Sequence, residues 1–130
     1  MGYCADYEGT ISLRKLNKQD ENIFTSKMKK FAEKFGGDLK KLNGEKLCLA
    51  IPGFEQYGDY ELKDGAYRIN LCGDEKYHSD EWEEWLEDVY EFIDPCKKNE
   101  IYFSGEDGCL WRFIAKEKGF EEQQGRVVYE

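Results

Sequence analysis

The chain has 130 residues, 40% hydrophobic and 15% aromatic, which is enough apolar mass for one domain with its own core and too much for wholesale disorder. Its 28 acidic against 19 basic residues leave a net charge of -9, which opposes direct nucleic-acid binding, because phosphate contacts need a locally basic face, and favours a basic protein surface as partner. No run approaches about 18 apolar residues, and the opening MGYCADYEGT lacks the basic and apolar regions of a signal peptide, so neither a membrane span nor export is expected and the cytoplasm is the expected location.

Residues 3 to 14 alternate with period two. Tyr3, Ala5, Tyr7, Ile11 and Leu13 fall on one side and Asp6, Glu8, Thr10 and Ser12 on the other, the pattern of a half-buried strand. Gly9 interrupts the inward set, which points to a bulge or a close backbone approach. From about Asp20 to Phe35 the apolar positions become Phe24, Met28, Phe31 and Phe35, a helical stripe stopped by the glycines at 36 and 37. The other faces of this helix carry Lys27, Lys29, Lys30 and Lys34, so it is basic. A short apolar run at 46 to 51 ends at Pro52 and Gly53, and an AspGly pair at 64 and 65 lies between two alternating segments, a strong hairpin signal. An acidic helix over 79 to 95 is closed by Pro95. Strands then follow at 100 to 106 and 110 to 116, with a last arm ending in RVVY at 126 to 129, and turns at 106 to 108 and 118 to 119 join them as a meander. The order β-α-β-β-β-α-β-β-β predicts a single α+β domain over residues 1 to 130, a two-layer sandwich whose mostly antiparallel sheet is covered on one face by two amphipathic helices.

The acidic helix is the least ordinary segment. Residues 79 to 95 hold eight acids and no Lys or Arg. At 100° per residue, Trp82, Trp85, Leu86, Val89 and Ile93 form the buried stripe, and Asp80, Glu84, Glu87, Asp88, Glu91 and Asp94 lie opposite. Like charges at i, i+4 cost about 0.2–0.5 kcal/mol each, and acids near the C-terminal end oppose the helix dipole, so folding alone does not select them. Three readings compete: a solubilising face, an internal one in which the lysine-rich helix lies alongside and neutralises the acids, and a docking face for a basic macromolecule. On the third reading Glu84, Glu87, Asp88, Glu91 and Asp94 stand in for a nucleic-acid phosphate track.

Other constellations are weaker. Arg68 and Arg112 sit in strands beside Tyr67 and Trp111, and a sheet face with two arginines and several rings would hold a planar anion such as a nucleotide. Asp74, Glu75, His78 and Asp80 gather before the acidic helix, a set that would serve a divalent cation or acid-base chemistry; a solvated loop with a helix cap explains them equally. The five cysteines, at 4, 48, 72, 96 and 109, show neither disulfide nor zinc spacing and read as small buried or half-buried thiols in a reducing compartment. No cofactor, metal or catalytic motif is expected.

MetGlyTyr at the start with TyrGluGly at 7 to 9, EDVYEFID at 87 to 94 and SGEDGCLWRF at 104 to 113 resemble a scattered group of small phage and bacterial proteins to which no activity is attached. The chain departs from that group in its lysine-rich first helix and extra cysteines. The resemblance implies a phage-type antagonist of a host system and no residue roles. The leading expectation is therefore a non-enzymatic inhibitor whose acidic helix occupies a basic, nucleic-acid-binding surface of a host defence protein; the alternative is a nucleotide binder or sponge using the strand arginines and aromatics.

Overall fold

Alternation along Cys4–Ser12 builds the central strand of the protein, β1. In the computed structural model, which describes residues 4–35, 39–42, 47–50, 52, 58–63, 66–76 and 79–125, β1 is followed by α1 (Lys18–Phe35), β2 (Leu39–Leu42), β3 (Leu47–Ala50), β4 (Gly58–Lys63), β5 (Ala66–Lys76), α2 (Ser79–Tyr90), β6 (Glu100–Gly105), β7 (Leu110–Lys116) and β8 (Gly119–Gln124). One six-stranded sheet runs β4-β5-β1-β6-β7-β8, and a separate hairpin pairs β2 with β3. Every pairing is antiparallel. The chain is thus the α+β two-layer sandwich that its periodicities predict.

The inner face of the sheet carries Ala5, Tyr7, Ile11, Tyr67, Ile69, Leu71, Ile101, Phe103, Trp111 and Phe113, all buried. Against it α1 lays Phe24, Met28 and Phe31, and α2 lays Trp82, Trp85, Leu86 and Val89. Aromatic rings dominate the centre. Trp82 meets Tyr7 and Phe103 edge-on, each at 5.1 Å, and Phe103 stacks on its cross-strand partner Trp111 at 5.4 Å; such pairs add to plain area burial. The β2–β3 hairpin packs on α1 and is tied to α2 by the Trp85 indole, whose Nε1–H donates to the Ala50 carbonyl at 2.6 Å.

Gly9 is no bulge. The register runs unbroken through it to Leu71 on one side and Ile101 on the other, and a Cβ there would stand 2.6 Å from the Ile101 Cα. The close approach of β6 is therefore what requires glycine. Gly73, opposite Tyr7, leaves room in the same way for the Tyr7 ring, which a Cβ would meet at 2.6 to 2.9 Å.

Three elements depart from the sequence reading. β2 adds a strand, because LKKL has no period-two pattern and extends only by pairing with β3. The meander closes with β8 at 119–124, the first part of the arm expected after the turn at 118–119, while the expected end of that arm at 126–129 lies outside the described residues. β8 is an edge strand with one large apolar residue, Phe120, so it shows little alternation. Finally, α2 stops at Tyr90 and does not run on to Pro95. Phe92 and Ile93 leave the helix to be buried, and the chain there pairs with the end of β1: the Asp94 amide donates to Ser12 O at 2.8 Å, the Arg14 amide to Phe92 O at 2.9 Å, and Ile93 bridges Leu13.

Asn99, 2% exposed, locks this junction. Its Oδ1 accepts from the Ser12 amide at 2.6 Å, its Nδ2 donates to the carbonyls of Asp94 and Lys97, and its own carbonyl accepts from the Ala115 amide. Asn99→Ala removes three part-buried hydrogen bonds to the backbone and is expected to cost about 2–4 kcal/mol in chemical denaturation. Gly9→Ala, by forcing β6 away, is expected to cost about 1–3 kcal/mol in the same measurement.

Candidate functional site

Because α1 and α2 share one layer over one sheet, the lysines of the first helix meet the acids of the second. Lys34 Nζ lies 2.8 Å from Glu84 Oε1, and Lys27 pairs with Glu91 while also lying 5.6 Å from the Phe92 ring. Both partners advance by seven residues in opposite directions, which is two turns of each antiparallel helix. Asp88 lies on the same side. Its carboxyl is held above the usual range by burial, and the neighbouring Glu84 and Glu87 push the same way against the pull of Lys27 and Lys34. The second oxygen of Glu84, Oε2, is buried with no hydrogen-bond partner among the described residues.

The acids therefore do not form one continuous outward face. Glu84, Asp88 and Glu91 turn toward α1. Asp94 is not helical at all: its carboxylate accepts from the Cys96 amide at 2.9 Å and closes the turn after Pro95. What remains on the far flank is Asp80, Glu83 and Glu87, all exposed, with no ion pair to a described residue. Beyond that flank Tyr90 packs edge-on against Phe120 of β8 and its hydroxyl donates to Lys116 O.

The arginine and aromatic set is split by strand alternation. Tyr67 and Trp111 are 9% and 7% exposed and belong to the core, whereas Arg68 and Arg112, one residue along from each, point to the opposite face. Arg68 opposes Ser12 on β1 and Arg112 opposes Tyr102 on β6, so three strand spacings and four residues of rise separate them by about 20 Å. They do not make one site. His78 lies outside the described residues, and among those described no three His, Cys, Asp or Glu side chains gather as a metal site. Cys48 is buried and Cys4 half-buried, but Cys72, Cys96 and Cys109 are exposed free thiols, so only two of the five fit the expected burial.

The outer face of the sheet holds a feature that none of these sets describes. Register aligns Asp6, Ser104 and Leu110 in one cross-strand row, and Glu8, Tyr102, Arg112 and Gln123 in the next. The first row is low, and it ends at Gly125, whose amide donates to Leu110 O. The second row is tall. Together they bound an open groove of about 560 Å³, which continues past Glu8 and Tyr102 into a shallower hollow of about 370 Å³. Arg112 is fixed in the tall row: Nε donates to Gln123 Oε1 at 2.8 Å, Nη1 reaches Glu100 Oε2 at 3.2 Å, and the guanidinium carbon sits 5.9 Å from the Tyr102 ring centre. Tyr102 is 42% exposed, one of two large hydrophobic residues so placed among those described. Asp6 and Glu8 are exposed, and no described residue pairs with them. In the sequence, the outward positions of β1 and the Tyr between Ile101 and Phe103 were legible; their alignment across strands was not.

The architecture defines an antiparallel sheet with one face sheathed by helices and the other, among the described residues, bare and grooved. The chain matches no protein-family model, no curated protein and no solved structure. No described helix is long and apolar enough to cross a membrane.

Two outcomes test the helix interface. A double-mutant cycle on Lys34 and Glu84 is expected to return a coupling of about 0.2–1 kcal/mol that shrinks with added salt. Asp88 has a folded-state pKa raised above its ordinary value of 3.8, so ionising it works against the fold. Asp88→Asn is therefore expected to be more stable than the parent at neutral pH, with the difference vanishing as pH falls below the ordinary carboxylate range, where both carboxyls are protonated; denaturation midpoints across pH measure it.

Proposed function

We propose that this is a non-enzymatic binding protein whose ligand face is the bare side of the six-stranded sheet. The observation that carries this reading is the groove over β1, β6, β7 and β8, with a half-exposed tyrosine, a fixed arginine and two carboxylates without a partner among the described residues around a low floor. Its volume falls within the range typical of ligand sites, and its walls stand on strands, which hold side chains more rigidly than loops do. The nucleotide reading on Arg68, Arg112, Tyr67 and Trp111 is not supported, since those residues occupy opposite faces and distant strands, and Arg112 is already neutralised by Glu100.

A second reading keeps a basic macromolecular partner on α2, now restricted to Asp80, Glu83 and Glu87, and is favoured by the lack of a described cation beside them. On this reading the protein is a small acidic inhibitor that imitates nucleic acid on a host defence protein, in the cytoplasm.

The two readings separate by amide chemical-shift mapping against fragment mixtures and short peptides. Compounds are expected to move Asp6, Ser104, Leu110, Arg112 and Gln123 together, and Ser104→Trp, which fills the exposed floor, is expected to abolish those shifts without lowering the melting temperature. Shifts confined to 80–87, lost on reversing Asp80, Glu83 and Glu87 to Lys, would transfer the function to α2.

A further inference from the structure

We infer that the groove on the bare sheet face is built for an extended basic peptide, with an arginine or lysine side chain seated over Tyr102 against Asp6 and Glu8. This rests on the reading of that face as the ligand face, and adds the chemistry of what binds there.

The charge inventory of the groove comes first. Glu100 is shared by Lys98 at 3.3 Å and Arg112 at 3.2 Å, a trio with one positive charge in excess, which the two carboxylates of Asp6 and Glu8 outweigh. Asp6 and Glu8 have no described partner. They are two residues apart on one face of β1, about 7 Å, and a single cation placed between them is attracted by both. The uncompensated charge of the groove is therefore negative and concentrated along its β1 side. An anionic ligand would have to approach this pair with no cation beside it among the described residues, because Arg112 is already engaged with Glu100 and Gln123.

The aromatic component points the same way. Tyr102 stands between Glu8 on β1 and Arg112 on β7. On its β7 side the Tyr102 ring already has the Arg112 guanidinium carbon 5.9 Å from its centre, with Nη1 donating to the Tyr102 hydroxyl at 3.4 Å. The side toward Glu8 is left for a second one, and there a guanidinium or ammonium would gain both ring contact and a carboxylate. Leu110 offers an apolar floor beyond the ring for the next side chain.

Shape selects a peptide over a free amine. Small-molecule sites enclose most of their ligand, whereas this groove is open along its length and runs on into the hollow beyond Glu8 and Tyr102. From β1 to β8 it crosses three strand spacings, about 14 Å, which four or five extended residues would span.

The test uses the full chain, isotope-labelled, titrated with three blocked tripeptides: Leu-Arg-Leu, Leu-citrulline-Leu and Leu-Glu-Leu. The arginine peptide is expected to shift the amides of Asp6, Glu8, Tyr102 and Leu110. Its affinity is expected to fall about 3- to 30-fold in the Asp6→Asn/Glu8→Gln double variant and to fall with added salt. The citrulline and glutamate peptides are expected to bind more weakly by a similar factor. Both substitutions are on exposed side chains, and Tyr102→Leu gives an independent loss that leaves the acids in place. Equal binding of all three peptides at these amides would overturn the cationic assignment while leaving the groove as the ligand face. Shifts from none of them, together with no fragment shifts there, would remove both. Free arginine amide binding as tightly as the tripeptide would overturn the peptide and leave a small-cation site.

Discussion

The structure depends on β1 being paired along both edges while one of its faces is buried. A strand in that position must alternate strictly, since a slip of one residue would send Tyr7, Ile11 and Leu13 into water and Asp6 and Glu8 into the core. The registers to β5 and β6 meet at Gly9 and Gly73, where missing side chains let the β6 backbone and the Tyr7 ring come close. From that seam the ring cluster of Tyr7, Trp82, Phe103 and Trp111 extends into the helical layer, so pairing and packing enforce each other. The Asn99 junction does the same at the far end of β1, where the chain leaving α2 is fastened to Ser12 and Arg14.

That arrangement also decides what the charged helices do. Placing α1 and α2 side by side over one sheet brings Lys27 to Glu91 and Lys34 to Glu84, so two of the eight acids of 79–95 become internal contacts between the helices, with Asp88 beside them. Such pairs contribute little to stability individually, but they orient the helices and consume the charge that would otherwise greet a visitor. The acids that stay open, Asp80, Glu83 and Glu87, lie on the other flank, toward β8.

The bare face has a different logic. Its residues are the outward half of strands whose inward half builds the core, so nothing about folding demands a particular side chain there. A low row of Ser104 and Leu110 beside a tall row of Tyr102 and Arg112, with Arg112 held by Gln123 and Glu100, is local order on a surface free to vary, and it sits beside Asp6 and Glu8, which have no ion pair among the described residues.

Periodicity alone specified the layer architecture: the two helical stripes, the alternation of β1, β6 and β7 and the AspGly hairpin required an antiparallel sheet covered on one side. It also held the helix ladder in latent form, as lysines at 27 and 34 and acids at 84 and 91, each seven apart. It was silent on β2, which has almost no apolar pattern because it exists through its hairpin partner, and it reached β8 only through the turn at 118 to 119, since an edge strand shows little alternation. It misplaced the end of α2, since Pro95 marks a boundary but the burial of Phe92 and Ile93 against β1 sets an earlier one. Which side chains of β1 and of the two helices face their neighbours was left to the tertiary structure, because strand register and helix adjacency there join residues 50 to 100 positions apart, a range over which local spacing carries no information.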